Sequence, residues 1–348
     1  MTHDIILSVD YHDQICVIRR LCRASGREEV ASVPTEPQAL RQFVAEAQRL
    51  AGSGGRVVWV QESTTGWARV QALLGDQVDF RLANVLQMPR PPKAHRRKTD
   101  KVDTARMQRE YLAGSLPWAH QPPAAWRQLR RLVAFREGLV SRRTAVRNWV
   151  NRYLAHETWA DRAGLWSAKG RRRLQALLGA LPRTDTWLVQ AKLAELDRLQ
   201  GQLQEGEAEL LAAYHACPAA QRLDAIRGVG VVAAVSIVAR VGPVERFRNA
   251  EHLIAFAGLA PGVQQSNQTR REGRIGGGGT DCHLRHYLIE ASVWARHLPR
   301  YRPAYERVAR RRGQKIGRLV VARMLLRSMY KVLKDGVAFT PGGAAALG

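Results

Sequence analysis

Four carboxylates stand where a metal-dependent phosphoryl-transfer site would need them. Asp10 and Glu62 each end a short apolar run, Ile5-Ile6-Leu7-Ser8-Val9-Asp10 and Val57-Val58-Trp59-Val60-Gln61-Glu62. Asp100 and Asp103, three residues apart, share one face of any helix that contains them. Such chemistry needs several carboxylates within about 4 Å of a metal pair, because Mg²⁺ prefers hard oxygen ligands and must keep positions for water and phosphate. Taken singly, each of the four is an ordinary cap or solvated acid; their joint placement points to one cluster. Lys93, Arg96, Arg97, Lys98 and Lys101 surround the second pair, with His95 among them. Those charges suit a nucleic-acid backbone held against the metals.

The elements that must position these groups follow from periodicity. Ile5 to Asp10, Gln14 to Ile18 and Glu29 to Val33 read as three strands of an antiparallel meander. A helix is expected next, with Thr35 as N-cap, Pro37 in its first turn and Leu40, Phe43, Val44, Ala47 and Leu50 at helical spacing. Gly52-Ser53-Gly54-Gly55 breaks it, Val57 to Glu62 is a buried strand, and Val78 to Val85 is a fifth. Three antiparallel strands, a helix and two further strands separated by a helix is the order of an RNase H-like fold. Asp10 and Glu62 then end neighbouring strands, and Thr99 to Met107 supplies the helix for the second pair.

After Pro89, Pro91 and Pro92 the character changes. Residues 124 to 215 are helical in pattern, with Leu129, Leu132, Val133, Arg136, Val140 and Arg143 forming an apolar face beside a basic one. Leu188, Leu193, Leu196, Leu199, Leu203, Leu210 and Leu211 suggest a coiled-coil or helical-hairpin arm. Gly228 and Gly230, bracketing a valine between two helices, resemble the hairpin of a helix-hairpin-helix module, whose backbone amides grip phosphate. The stretch from Gly258 to Arg285 reads as a polar loop, and Arg302 to Lys334 as an arginine-rich helical tail.

The 348 residues carry 55 Lys and Arg against 30 Asp and Glu, a formal charge of +25. Residues 1–90 are neutral, with 10 of each sign, whereas 91–220 hold 23 basic and 12 acidic side chains and 221–348 hold 22 and 8. The whole excess therefore follows residue 90, the footprint of a nucleic-acid binder, since each cation that neutralises a phosphate releases counterions. An apolar content of 45% excludes a disordered basic tail. Cys16, Cys22, Cys217 and Cys282 form no C-x-x-C pair and read as free thiols of a reducing cytosol. No signal peptide or membrane span is expected, which makes the protein cytoplasmic. Trp126, Trp149, Trp159, Trp166 and Trp187 are candidates for stacking on bases, or for helix packing.

The order Asp10, Glu62, Asp100-x-x-Asp103, with Lys98-Thr99 ahead of the last pair, resembles the DEDD motif of the RuvC-like domain in the IS110 family of insertion-sequence transposases, relatives of the Piv invertase. Gly258-Leu259-Ala260-Pro261, Gln265-Ser266, Gly273-Arg274-Ile275 and Leu284-Arg285 resemble the family's second block, and Arg323 to Gly336 its ending. The resemblance implies an α/β plus all-α chain. It would have an RNase H-like (RuvC-like) domain at 1–116, a helical or coiled-coil region at 117–215, a mostly helical serine transposase domain at 216–340 and a flexible tail at 341–348.

It further implies a recombinase that moves its own element between donor and target DNA, guided by a bridge RNA from that element, with homodimers assembling to a tetramer at the bacterial nucleoid. Asp10, Glu62, Asp100 and Asp103 would hold Mg²⁺, for which Mn²⁺ can stand in. Ser266 would form a covalent 5′-phosphoserine bond, with Arg270, Arg271, Arg274 and Arg285 on the nucleic acid. A serine hydroxyl needs a base, a metal or a dense positive field to react, and those arginines suit a pentacovalent phosphate. Two departures bear on the serine loop. Asn267 replaces the usual glycine, though asparagine tolerates left-handed backbone, and Gly276-Gly277-Gly278-Gly279 stands where a lysine commonly precedes a glycine. The competing expectations are a metal-dependent junction nuclease without serine chemistry, and a catalytically inactive nucleic-acid-binding protein.

Overall fold

The computed structural model describes residues 4–88, 100–158, 162–266, 269–275 and 280–340, and of 261–275 the backbone alone. The chain forms two compact units, residues 1–121 and 122–348.

The first unit is a five-stranded sheet in the order β3-β2-β1-β4-β5, made of β1 (Ile5–Tyr11), β2 (Ile15–Cys22), β3 (Glu28–Pro34), β4 (Val57–Glu62) and β5 (Asp79–Ala83). β1, β2 and β3 pair antiparallel, whereas β1, β4 and β5 pair parallel. The β1 run is apolar without alternation because both faces are covered. Its odd residues Ile5, Leu7 and Val9, with Val57 and Trp59, pack against Leu40, Val44 and Ala47 of α1 (Pro37–Ala51) and Val70 and Leu74 of α2 (Trp67–Leu74). The even residues Val58 and Val60 pack on the other face, against Met107 of α3 (Asp100–Leu112) and Leu116. Since side chains alternate along a strand, Asp10 and Glu62 lie on the α3 side of the sheet.

One capping expectation is corrected. The residue before α1 is Glu36, which makes no side-chain cap, and Pro37 takes the first turn. The Thr35 hydroxyl donates instead to the His12 carbonyl at 2.8 Å, and the Thr35 amide to the Gln14 carbonyl at 2.9 Å. Thr35 thus pins the β1–β2 turn rather than the helix.

The second unit is built on a helical hairpin. α4 (Ala124–Glu157) and α6 (Arg183–His215) run antiparallel: Arg136 pairs with Glu207, Arg143 reaches Gln200, and Lys192 lies over Trp149. Val189, Leu193, Leu196, Leu199, Leu203, Gly206 and Leu210 line its buried seam, at steps of three or four residues. Leu211, expected in that seam, is 45% exposed. α5 (Ala168–Leu178) closes one end through Leu174 and Leu178. At the other end Val133 and Leu210 join the core of the last segment. That segment comprises α7 (Pro218–Asp224), α8 (Val231–Val241), α9 (Ala250–Phe256), β6 (Pro261–Ser266), β7 (Thr269–Ile275), α10 (Cys282–Ala295), α11 (Arg302–Arg312) and α12 (Gln314–Asp335).

Arginines close α8. Arg130 donates to the Ala239 carbonyl at 2.7 Å and to the Arg240 carbonyl, and Arg246 to the Val241 carbonyl at 2.8 Å, satisfying acceptors that a helix end leaves open. Burial first, then the charge of Arg130, pulls the Arg246 guanidinium down to about 10. Its faces are covered by Phe247 and Phe256. Arg240 itself bridges Glu137 of α4 at 2.8 Å and Asp281, which caps α10 by accepting the Leu284 amide.

Two expectations change here. The stretch read as a polar loop holds the β6–β7 hairpin, whose Gln- and Arg-rich strands show no apolar alternation for periodicity to detect. The helical tail expected over Arg302 to Lys334 resolves into two helices, divided at Gly313 with φ of +86°.

Gly66, in the connection after Glu62, has φ of +82°, and a β-carbon there would lie 2.2 Å from Cε1 of the buried Tyr11 ring, which Arg69 holds by donating to its hydroxyl. Gly66→Ala is expected to cost about 2–3 kcal/mol in urea unfolding, backbone strain and clash together. Gly26→Ala, at φ of +67° with nothing within 4 Å, isolates the backbone part at about 1–2 kcal/mol.

Candidate metal centre

Asp10 follows Val9 on β1 and Glu62 follows Gln61 on β4, and Val9 and Gln61 are partners in the parallel register. The two carboxylates therefore leave the same end of adjoining strands on the same face. α3 brings the third and fourth. Met107, Thr104 and Gln108 form its buried face, and Asp103 and Asp100 continue that row one and two turns earlier.

The first turn of α3 is fixed by charge. Arg19 on β2 donates to the Lys101 carbonyl at 3.2 Å and to Glu28 at 2.8 Å, and Gln108 donates to the other Glu28 oxygen at 2.7 Å. Thr104 also donates to the Lys101 carbonyl, at 3.1 Å.

The resulting geometry adds a residue that sequence reasoning missed. His12 Nε2 lies 3.6 Å from Asp10 Oδ2 and 3.4 Å from Asp100 Oδ2. One ligand atom from each of these three side chains falls within 4.8 Å of the others. The signal was the Asp10-x-His12 spacing: a residue two past Asp10 returns to the same face as the strand ends, and Thr35 holds its carbonyl. Glu62 and Asp103 do not belong to this trio; Glu62 ends the adjoining strand, and Asp103 is half-buried one turn along α3.

Two carboxylate oxygens and an imidazole nitrogen at this spacing fit a divalent cation. Asp10 is 13% exposed and Asp100 is 52% exposed, so the trio is walled by the sheet on one side and open to water and phosphate on the other.

The other expected site residues divide as follows. Lys101 is exposed beside the trio. Lys93, His95, Arg96, Arg97 and Lys98 lie outside the described residues, as do Trp159, Asn267, the Gly276–Gly279 run and the tail from 341. Ser266 ends β6 in register with Thr269, Gln265 with Arg270, and Gln264 with Arg271, while Arg274 lies further along β7. The side chains of these strand residues likewise lie outside those described. Arg285 on α10 reaches the Gly258 carbonyl at 3.5 Å, anchoring the start of that segment. Gly228, with φ of +94°, lies between α7 and α8 as the hairpin reading requires, but against Ala291 and Trp294 of α10. Trp149 stacks on Tyr153 and Trp166 lies under Arg147, whereas Trp187 is 65% exposed.

Comparison with known proteins finds two transposase family matches along the chain. A transposase family profile of the IS110 DEDD type matches residues 11–158, starting one residue after Asp10, and the profile "Transposase IS116/IS110/IS902 family" matches residues 220–306. A putative transposase, y4qE, of Sinorhizobium fredii is 27% identical over 214 residues, covering 61% of this chain and 52% of the relative. The transposase for insertion sequence element IS1111A of Coxiella burnetii is 28% identical over 49% of this chain and 47% of its own. The insertion element IS110 uncharacterized 43.6 kDa protein of Streptomyces coelicolor is 28% identical over 44% and 38%. The chain spans about half the length of the curated relatives it matches. With one family domain around the carboxylates and the other around the β6–β7 hairpin, the chain belongs to the IS110/IS116/IS902 transposase family.

Proposed function

We propose that the chain is the transposase of an IS110-type insertion sequence, an enzyme that cuts and rejoins DNA. The observation that carries this is the approach of Asp10, one residue before the start of the family match, and Asp100 within it, with His12 between them. The 3-2-1-4-5 strand order with an antiparallel meander supports an RNase H-like, RuvC-like assignment for residues 1–116, ahead of a helical arm at 117–215 and a serine transposase domain at 216–340.

In this scheme Asp10, Glu62, Asp100 and Asp103 hold Mg²⁺ or Mn²⁺, which when bound supplies positive charge to a phosphate oxygen. The Ser266 hydroxyl gives up its proton and attacks a backbone phosphorus. The P–O3′ bond breaks, the 3′ oxygen leaves as a hydroxyl, and the strand's 5′ phosphate remains on serine. A partner 3′-hydroxyl reverses the step, so phosphodiester energy is conserved without ATP. Ser266, where family resemblance puts the nucleophile, ends β6 in register with Thr269 at the start of β7, which supports its presentation to a phosphate beside the β7 arginines. Arg270, Arg271 and Arg274 follow on β7 to stabilise the pentacovalent phosphate. The basic excess after residue 90 supports donor DNA, target DNA and a bridge RNA as partners, with a tetramer and a nucleoid location following from the family scheme.

Two measurements test the scheme. DNA carrying the element's ends, incubated with the protein and Mg²⁺, is expected to give a covalent protein–DNA adduct that Ser266→Ala reduces at least about a thousandfold. An adduct that survives the substitution sinks the serine step, and metal-dependent cleavage without adduct favours a junction nuclease. A protein that gives neither adduct nor cleavage, and whose biological activity is unchanged by Asp10→Ala and Asp103→Ala, would be a nucleic-acid-binding protein alone. Calorimetric titration is expected to show Asp100→Asn weakening Mg²⁺ and Mn²⁺ alike by about tenfold or more. His12→Ala is expected to weaken Mn²⁺ more than Mg²⁺, since imidazole suits the transition ion better.

A further inference from the structure

Arg143 and Arg147, one turn apart on α4, face Arg171 from the beginning of α5. Arg147 lies over the Trp166 ring at 5.4 Å. Arg143 reaches Gln200 Oε1 at 3.4 Å, and Arg171 donates to Asp197, both acceptors on α6. Asp197 is the carboxylate paired to this group among the described residues, and its side chain is 66% exposed. Three guanidinium charges from two helices thus converge beside one solvated acid.

Two further features show that this crowding is not balanced within the protein. The Nε atoms of Arg143 and Arg147 and one terminal nitrogen of Arg171 are shielded and donate to no acceptor among the described residues. Burial first, and then the charges of Arg143 and Arg171, hold the Arg147 guanidinium below its ordinary value. The start of α5 adds to the same field. Its first turns carry Lys169, Arg171, Arg172 and Arg173 with no acid, although the positive end of the helix dipole disfavours cations there. Ser167 caps that end by accepting the Gly170 amide.

We propose that Arg143, Arg147 and Arg171 form a binding site for a backbone phosphate of a nucleic acid on the helical hairpin of the second unit. An entering phosphate would accept from the forked guanidinium groups, which match its geometry, and would neutralise the charge that the three arginines impose on one another. The Trp166 ring holds Arg147 in place so that less side-chain freedom is lost on binding. The site rests on the nucleic-acid partner proposed above, and DNA and RNA present the same phosphodiester to it.

The test uses the full-length protein and its Arg147→Gln variant, with unrelated single-stranded RNA and duplex DNA titrated from 50 to 200 mM salt. The slope of log affinity against log salt is expected to fall by about 0.7 for a single strand or about 0.9 for a duplex per phosphate lost, and the ligand whose slope changes identifies the source. The free variant is expected to melt at the same temperature as wild type or higher, because removing one of three crowded charges relieves repulsion. Unchanged slopes for both ligands, with or without a lower melting temperature, overturn the site and make Arg147 a structural link between helices. Wild-type protein that binds neither nucleic acid overturns the site and the nucleic-acid partner together, whereas wild-type binding with an unchanged variant slope overturns the site alone. Should Arg147→Gln fail to fold, Arg143→Gln carries the same test: a lowered slope supports the site, and an unchanged one overturns it.

Discussion

Carboxylates on two different elements repel, so whatever brings Asp10 and Asp100 to within reach of one imidazole must come from elsewhere in the fold. Two like charges about 4 Å apart cost on the order of 4 kcal/mol at the effective dielectric of a protein surface. Burial of Met107 supplies about 1.5–3 kcal/mol, and the two hydrogen bonds that tie α3 to the clamp, Gln108 to Glu28 and Arg19 to the Lys101 carbonyl, add about 1.5–3 kcal/mol each. The docking of α3 is therefore sufficient to offset the repulsion it must overcome. The separation of tasks is clear in the sequence positions: the outer strands β2 and β3 supply the clamp, and the central strands β1 and β4 supply the acids.

Much of this was legible in the residues because it rests on period-two patterning. The β1 and β4 runs are buried on both faces, mostly apolar with Ser8 and Gln61 the polar exceptions, and each reaches a carboxylate at its end, so strand, burial and site coincide. For His12 the Asp10-x-His12 spacing was the one signal in the sequence, and it acquires meaning only when Asp100 arrives from another element. Thr35 misled for a related reason: its type and its place before Pro37 suit a cap, but a hydroxyl donates to whichever carbonyl is nearest, here that of His12. The β6–β7 hairpin was hidden by its own chemistry, because strands of Gln, Arg and Ser look like loop.

The basic excess also needs dividing. Arg130, Arg240 and Arg246 belong to the interior of the second unit, where they satisfy the carbonyls at the end of α8 or bridge Glu137 and Asp281. Arg285 is taken up by the Gly258 carbonyl. Net charge alone thus overstates what is presented to a partner, because these arginines are engaged within the fold.

The bridge from Arg240 to Glu137 has a mechanical consequence. Twenty residues of α4 extend beyond Glu137, a rod of about 30 Å at 1.5 Å per residue. A ten-degree tilt at its root would sweep the far end through roughly 5 Å, more than the reach of any hydrogen bond. Where α4 emerges, its root is held by the buried Val133 and by Arg130, Glu137 and the Asp281 cap that shares Arg240. The hairpin is in effect a lever with a bolted pivot, and the accuracy with which its tip can meet anything is decided at that bolt.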